Sequence, residues 1–369
     1  MLGNLKILYD MPVINLDLLI NGLLIGAIFA LTAYGLALVW GVMNVKNLAQ
    51  GVFVMAGGYA CWWFWGLGIH PILGLVLAAA VMWIITGGFY GTRVPGWVMA
   101  KIGLAGIAGI SLATGIVILL IDHWAEISEG TMTLDMFERF VEGLLLALAV
   151  FFVLCGGIFG LIIRQVLDRD LFTSLLATFG IAIVMEQMMN ITFGSDTQAI
   201  DLGYESLRLF DGAISVGVQK VAAFVLAVLL AVGVILFMKR SRMGQAIRAT
   251  SQNPRAARVM GIDTEKVYAF TFCLNGAICG AAGALIVMIW LIQPFYGIPY
   301  SIRAFVIVTA AGLGNLPGVI AVGFGMGVVE QFGGVILGAA YQQAIVVGLL
   351  LAVLVVRLFL QSRKRQAVE

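Results

Sequence analysis

Charged side chains are scarce in this 369-residue chain: 11% are Asp, Glu, Lys or Arg, against about 25% in soluble globular domains. That scarcity, with 62% hydrophobic residues, excludes a water-soluble domain. Histidine is nearly absent. The two present, His70 and His123, sit at the edges of apolar runs without neighbouring ligands. The four cysteines, Cys61, Cys155, Cys273 and Cys279, all fall inside apolar runs and none forms a C-x-x-C pair. They read as small buried hydrophobes, and no metal site is expected. No G-x-x-x-x-G-K-[ST] phosphate loop occurs, so the chain is not itself an ATPase. No Ser–His–Asp, H-E-x-x-H or paired-carboxylate pattern stands out, which speaks against an integral membrane enzyme acting on lipid.

What is abundant is apolar length and glycine. A helix of about 20 apolar residues spans a bilayer core. Such runs recur at 16–40, 48–68, 70–90, 102–121, 141–163, 171–192, 214–238, 267–290, 302–312, 318–336 and 341–360. The first is too long for the apolar core of a signal peptide and reads as a membrane helix. The expected fold is an all-α polytopic bundle of about 10–11 hydrophobic segments in one domain, residues 1–369. The run 302–312 is too short to cross alone. It ends in "AGLGNLPG", so a broken helical pair is expected near 302–336; a tilted full crossing is the alternative. The 46 glycines include ladders spaced by four: Gly22–Gly26–Ala30, Gly276–Gly280–Ala284 and Gly323–Gly327. Small residues at this spacing let membrane helices approach closely.

The few charges are unevenly placed. Segment 239–266 carries seven basic and two acidic residues, and the tail "SRKRQAVE" three basic and one acidic. Segment 122–142 has six acids and one base, and 194–213 four acids and one base. Lys and Arg accumulate on the cytoplasmic side. This places 239–266 and the C-terminus inside, and 122–142, 194–213 and the N-terminus outside. Lys6, Lys220 and Arg303 fall on the wrong side, as isolated charges. Two carboxylates lie deep within apolar runs, away from their ends: Glu186 and Glu330. Each costs about 2.5–3.5 kcal/mol at a helix centre and so faces a cavity or a partner. For Glu330, level with Gly323 and Gly327, a packed interface is the plainer reading.

The basic island "RMGQAIRATSQNPRAARVMGID" (242–263) is patterned. Asn253 suits an N-cap, Pro254 a first helical position and Gly261 the position after a helix. A short helix, a turn at Ser251–Asn253 and a second short helix follow. Arg255 and Arg258 then share a face. Such an element fits docking to a cytoplasmic partner; simple retention of positive charge inside is the alternative. A passive channel would not need it.

The stretch "RMGQAIRATSQNPRAARVMGIDTEKVYAFTFCLNGAICGAAGALI" closely resembles the permease subunits of high-affinity branched-chain amino acid ABC importers. So do "NGLLIGAIFALTAYGLALVWGVMNVKNLAQGVFVMAGGY", "LLATFGIAIVMEQMMNITFG" and "AFVIVTAAGLGNLPGVIAVGFGMGVVE". Together they cover well over half of the chain in the family's order. The resemblance implies a non-catalytic permease of a bacterial-type inner membrane, working by alternating access and moving a hydrophobic amino acid. Near relatives move urea, short amides or small carboxylates. It implies a second homologous permease subunit, two cytoplasmic ATPases and an extracytoplasmic substrate-binding protein. It further implies that the chain binds no cofactor itself, with ATP and Mg on the ATPase. The coupling segment of the family maps onto Arg242, Gly244, Arg248, Asn253, Pro254, Arg255, Arg258 and Gly261. Three departures stand out. Asn47-Leu48-Ala49-Gln50-Gly51 replaces N-F-A-H-G, Glu186-Gln187 replaces Gln-Asn, and residues 91–140 look like an added helical hairpin. Candidate pathway residues are Gln50, Thr178, Glu186, Gln187, Asn190 and Asn275. Ser174, Thr178, Ala182, Glu186 and Asn190 form a slowly winding polar or small stripe on one helix.

Overall fold

A computed structural model of the chain describes residues 12–67, 134–167, 169, 171–200, 206–209, 214–312 and 314–366. Eleven helices occur among them. They are α1 (Pro12–Met43), α2 (Gln50–Leu67), α3 (Leu134–Ile158, running on through a π-helical stretch, Phe159–Ile163, to Val166), α4 (Leu171–Phe193) and α5 (Val218–Arg240). Two short ones follow, α6 (Arg242–Gln252) and α7 (Pro254–Val259), then α8 (Thr264–Ile289), α9 (Gly297–Ala311), α10 (Leu316–Leu337) and α11 (Gln342–Gln366). Six spans among the described residues are long and apolar enough to cross a membrane: Val13–Met43, Phe140–Val166, Phe172–Phe193, Val218–Arg240, Thr264–Ile289 and Leu316–Leu337. The chain is an all-α polytopic membrane protein. The segments expected at 70–90 and 102–121 lie outside the described residues, as does the 91–140 insert apart from the opening turns of α3.

One element departs from the helical expectation. The run read as apolar from 214 begins as a strand, β2 (Ile214–Gly217), paired antiparallel with β1 (Ser206–Leu209), Ser206 opposite Gly217 and Leu209 opposite Ile214. Alternation in "ISVG" and the β-branched Ile214 and Val216 favour the extended chain there.

The bundle is built around α8. Its inner neighbours are α1, α2 and α3, and α10 lies along α1. The glycine ladders explain how closely they approach. A Cβ added to Gly22 would lie 2.7 Å from Val328 Cα, one on Gly26 2.8 Å from Phe324 Cα, and one on Gly327 2.6 Å from Gly26 Cα. The ladders of α1 and α10 thus face each other and interlock. The α8 ladder is used twice. A Cβ on Gly280 would lie 2.8 Å from Ala147 O of α3, while one on Gly57 of α2 would meet Gly280 itself. No side chain larger than hydrogen fits, so the backbones pack directly, without the greasy interlayer of a soluble core.

The expected break near 302–336 is present. α9 ends at Gly312 (φ 92°), Gly314 (φ 82°) follows, and Asn315 caps α10 by accepting the Gly318 N–H at 3.1 Å, with Pro317 in the first turn. Across the break Arg303 of α9 meets Glu330 of α10. Arg303 Nη2 donates to Glu330 Oε1 at 2.5 Å and Nε to Oε2 at 3.2 Å. Arg303 is therefore not an isolated misplaced charge but half of a bidentate pair, and Glu330 faces a partner. Lys220 is corrected in the same way. Its ammonium donates to Asn21 Oδ1 at 2.9 Å, and Asn21 Nδ2 donates to Asp17 Oδ1 at 3.1 Å.

Candidate functional sites

Two places carry the polar side chains that the sequence singles out. The first is the break between α1 and α2. α1 stops at Met43 because Asn44 turns left-handed, φ 54°, a conformation that asparagine tolerates better than most residues. The chain then runs without helix to Gln50. Two hydroxyls from other helices hold it. Thr178 of α4 accepts the Leu48 N–H at 3.2 Å. Ser301 of α9 accepts the Gly51 N–H at 2.8 Å and donates to Leu48 O at 2.9 Å. Ser301 and Asn47 were not among the candidates; "NLAQG" shows a helix start but not what comes to meet it. Gln50 is fully buried and its Nε2 donates to Thr32 O at 2.9 Å. Asn275 of α8 is fully buried too, and Gly35 of α1 brings the two together. A Cβ there would lie 3.3 Å from Gln50 Nε2 and run into Asn275 Oδ1. Gln50, Thr178 and Asn275 thus belong to one neighbourhood.

The remaining candidates do not. On α4 the stripe turns inward at its start, Ser174, Thr178 and Ala182 being buried. Towards the other end Glu186 and Asn190 are half-buried and Gln187 is exposed. Glu186 Oε1 is buried without a hydrogen-bond partner. The neighbouring groove between α2, α3 and α4 is apolar, about 650 Å³, and lined by Met185, Met188 and Met189 among others. α4 ends in an aromatic cluster, Phe193 stacking on Tyr59 at 5.0 Å with Trp62 and Trp63 edge-on.

The second place is the basic island. Its caps are where they were expected, but the turn expected at Ser251–Asn253 is shorter: α6 runs on through Ser251 and Gln252, and Asn253 alone separates it from α7. Ser241 caps α6, accepting the Gly244 N–H at 2.8 Å. Asn253 caps α7, accepting the Arg255 and Ala256 N–H groups at 3.1 Å, with Pro254 at the first position. Gly261 closes α7 at φ 82°. Asp263 then caps α8, accepting the Lys266 N–H at 3.2 Å; these hydrogen bonds and the Lys266 ammonium hold its carboxyl below the usual range.

The arginines divide by role. Arg248 donates to Met238 O and so ties α6 to α5. Gly244 lies so close to the Met238 backbone that no side chain would fit. Arg258 Nε donates to Thr264 Oγ1 at 2.8 Å, tying α7 to α8. Glu265, the next residue, pairs with Arg164 at the end of α3. Arg242 and Arg255 are exposed. At the tip Val259 and Met260 are 87% and 80% exposed, a bare apolar pair inside a charged segment.

A profile of the family described as branched-chain amino acid transport system, permease component, matches residues 99–354, well over half of the chain. The chain belongs to this family. The permease is 24% identical over 352 residues to the high-affinity branched-chain amino acid transport system permease protein LivH of Escherichia coli strain K12, covering 92% of this chain and 93% of that one. It is 24% identical to the corresponding permease BraD of Pseudomonas aeruginosa over 352 residues, 93% and 94% of the two chains. It is 30% identical over 199 residues to a probable branched-chain amino acid transport permease LivH of Methanocaldococcus jannaschii, 50% and 62% of the two chains. No solved structure matches. The family profile includes the basic island and Asn275 of the permease and starts after the α1–α2 break.

Proposed function

We propose that this chain is the membrane-spanning subunit of an ATP-driven importer of a hydrophobic amino acid. It pairs with a second homologous permease, with two cytoplasmic ATPases that carry ATP and Mg, and with an extracytoplasmic binding protein. The island 242–263 lies in the cytoplasm with the C-terminus, and the N-terminus lies outside. The observation that carries this reading is the double-capped pair α6–α7. Its tip shows exposed Arg255, Val259 and Met260, while its base is fastened to α5 through Arg248, to α8 through Arg258 and, by way of Glu265, to α3 through Arg164. A loop that merely retained positive charge would need neither the caps nor the fastenings. A tip that docks and a base tied to three long helices can carry ATPase closure into the bundle, which is what alternating access requires. Gln50, Thr178 and Asn275 then line the pathway, with Glu186, Gln187 and Asn190 further along α4.

The test separates docking from insertion. In the assembled complex, Arg255→Glu reverses an exposed charge at the tip. Gly261→Val puts a β-branched residue at φ 82°, a conformation it adopts poorly. ATP hydrolysis stimulated by the loaded binding protein should fall in both, with the amount of chain in the membrane unchanged. Full stimulation in both variants refutes the docking role.

A further inference from the structure

α3 is clamped along one part of its length and bare along the next. Between Ala147 and Cys155 its backbone lies directly against the glycine ladder of α8. A Cβ on Gly280 would lie 2.8 Å from Ala147 O, and one on Gly276 2.8 Å from Phe151 O and nearer still to Cys155 Sγ. Cys155 ends that clamp, and Gly156, Gly157 and Gly160 follow at once. A Cβ on Gly157 or Gly160 would meet nothing within 4 Å, so neither glycine admits a neighbour within this chain. Inside a helix glycine is less stable than alanine, so the two weaken α3 here without any gain in packing. The hydrogen-bond register changes at the same place. Phe159–Ile163 is π-helical, the Arg164 N–H reaching back to Phe159 O, five residues instead of four. π turns are rare and occur mostly as single turns at functional sites.

The arm beyond, as far as Val166, is held on one side only. Phe159 and Ile163 are buried, with the Phe159 ring 6.1 Å from that of Phe272 in α8, while Leu161 is 74% exposed. Near its end Arg164 pairs with Glu265 in the first turn of α8. The neighbouring Thr264 receives Arg258 of the island. The Arg164 and Glu265 side chains are 63% and 53% exposed, and a pair so open to solvent adds little stability. It does join the base of the island to the arm. The arm in turn leads into α4, which starts at Leu171, five positions after Val166. α4 then holds the α1–α2 break, Thr178 accepting the Leu48 N–H at 3.2 Å.

Building on the importer reading, we propose that residues 156–163 are a hinge, and that the docked island swings the arm of α3 through Glu265 and Arg164. The arm draws the start of α4 with it and parts Thr178 from Leu48, so closure of the ATPases releases the α1–α2 break from the α4 side. Hinges of this kind are a few residues that absorb the change in backbone angles between two packed bodies. Arg164 and Glu265 are positioning residues, acting through the arm and touching no solute.

The test uses the purified complex of this chain with its partners in proteoliposomes, with L-leucine as the solute, and reads uptake per ATP hydrolysed. Gly157→Ala together with Gly160→Ala fits the space and stiffens the hinge. This variant should melt roughly 2–3 °C above the parent, from helix propensity alone. It should assemble fully and keep its binding-protein-stimulated ATP hydrolysis. Uptake per ATP should fall about fivefold or more, the low end of coupling between two sites. Arg164→Glu and Glu265→Arg should each show the same loss with Tm within about 2 °C of the parent, and the two together should recover most of it. Uptake per ATP equal to the parent in the alanine variant overturns the hinge; the importer reading stands if Arg255→Glu still impairs stimulation in the same preparation. An alanine variant that no longer assembles overturns the hinge too, the bare glycines then serving a neighbouring subunit. A charge exchange no better than the single changes overturns the Glu265–Arg164 link. A parent complex that takes up no L-leucine on ATP hydrolysis refutes the importer reading itself, and this proposal with it.

Discussion

The pair Arg303–Glu330 offers the sharpest energetic test. The two side chains are 13% and 8% exposed, and they join through hydrogen bonds of 2.5 and 3.2 Å. The guanidinium also lies 5.3 Å from the Phe29 ring and 5.1 Å from the Tyr300 ring. Replacing Glu330 by Leu strands the guanidinium among apolar groups. Stranding one member of a buried pair costs about 3–5 kcal/mol. The two rings continue to attract the cation, each by about 0.5–2 kcal/mol, so the lower end, about 3 kcal/mol, is expected. For a chain of this size that corresponds to a fall of roughly 5 °C in Tm, extending the scaling of smaller domains. Arg303→Met together with Glu330→Leu removes both charges and keeps the volume. Such exchanges are close to neutral, so the double variant should melt within about 2 °C of the parent, since roughly 1 kcal/mol is the residual expected. The assay is heat denaturation of the detergent-solubilised protein, followed by the fraction that remains monodisperse. A single variant as stable as the parent, or a double variant that loses the sum of the two singles, refutes the view that the pair is a mutually compensated charge.

Other outcomes follow from the same geometry. With the four native cysteines replaced, Ser195→Cys should react with an impermeant thiol reagent in intact cells and Ser251→Cys only after lysis; both positions are exposed, and the reverse pattern would overturn the orientation. Gly327→Leu should abolish assembly of the bundle, because its Cβ has no room against Gly26; a well-folded variant would show that α1 and α10 do not interlock. The Asp263 carboxyl, held below its usual range chiefly by the Lys266 N–H, stabilises the start of α8 when ionised. That contribution is full above the carboxyl's unfolded value, about 3.9, and is lost as pH falls through the lower folded one. Hydrogen exchange at residues 264–267, corrected for its intrinsic rate, should be flat from pH 5 to 7 and accelerate only in stronger acid. Acceleration already near pH 6 would contradict the cap.

Local chemistry was what the sequence made readable. Asn253, Pro254 and Gly261 announce α7 without help from the rest of the chain, and "GLGNLP" announces the interruption before α10. What escaped was set by residues far apart in the chain. Lys220 meets Asn21 across 199 positions, and Ser301 reaches the start of α2 across 250; no periodicity encodes either meeting. The α4 stripe was visible as spacing, but spacing does not say which end of a helix is covered. That is decided by where α2 and α3 lie. The strand at 214–217 was hidden because Ile-Ser-Val-Gly, running straight into a longer apolar run, looks like its first turn.

The facing glycine ladders of α1 and α10 also set how this protein can move. Teeth repeating every four residues, with backbone in each notch, cannot slip by a fraction of a step. A shift along the axis has to clear a whole repeat, about 6 Å at 1.5 Å per residue, and every position in between sets backbone against backbone. The two helices therefore travel as one rigid strut. Arg303, bonded to α10 and in contact with Phe29 of α1, fastens α9 to that strut, so any rearrangement that opens the α1–α2 break has to swing α9 with it or part Ser301 from the chain it holds.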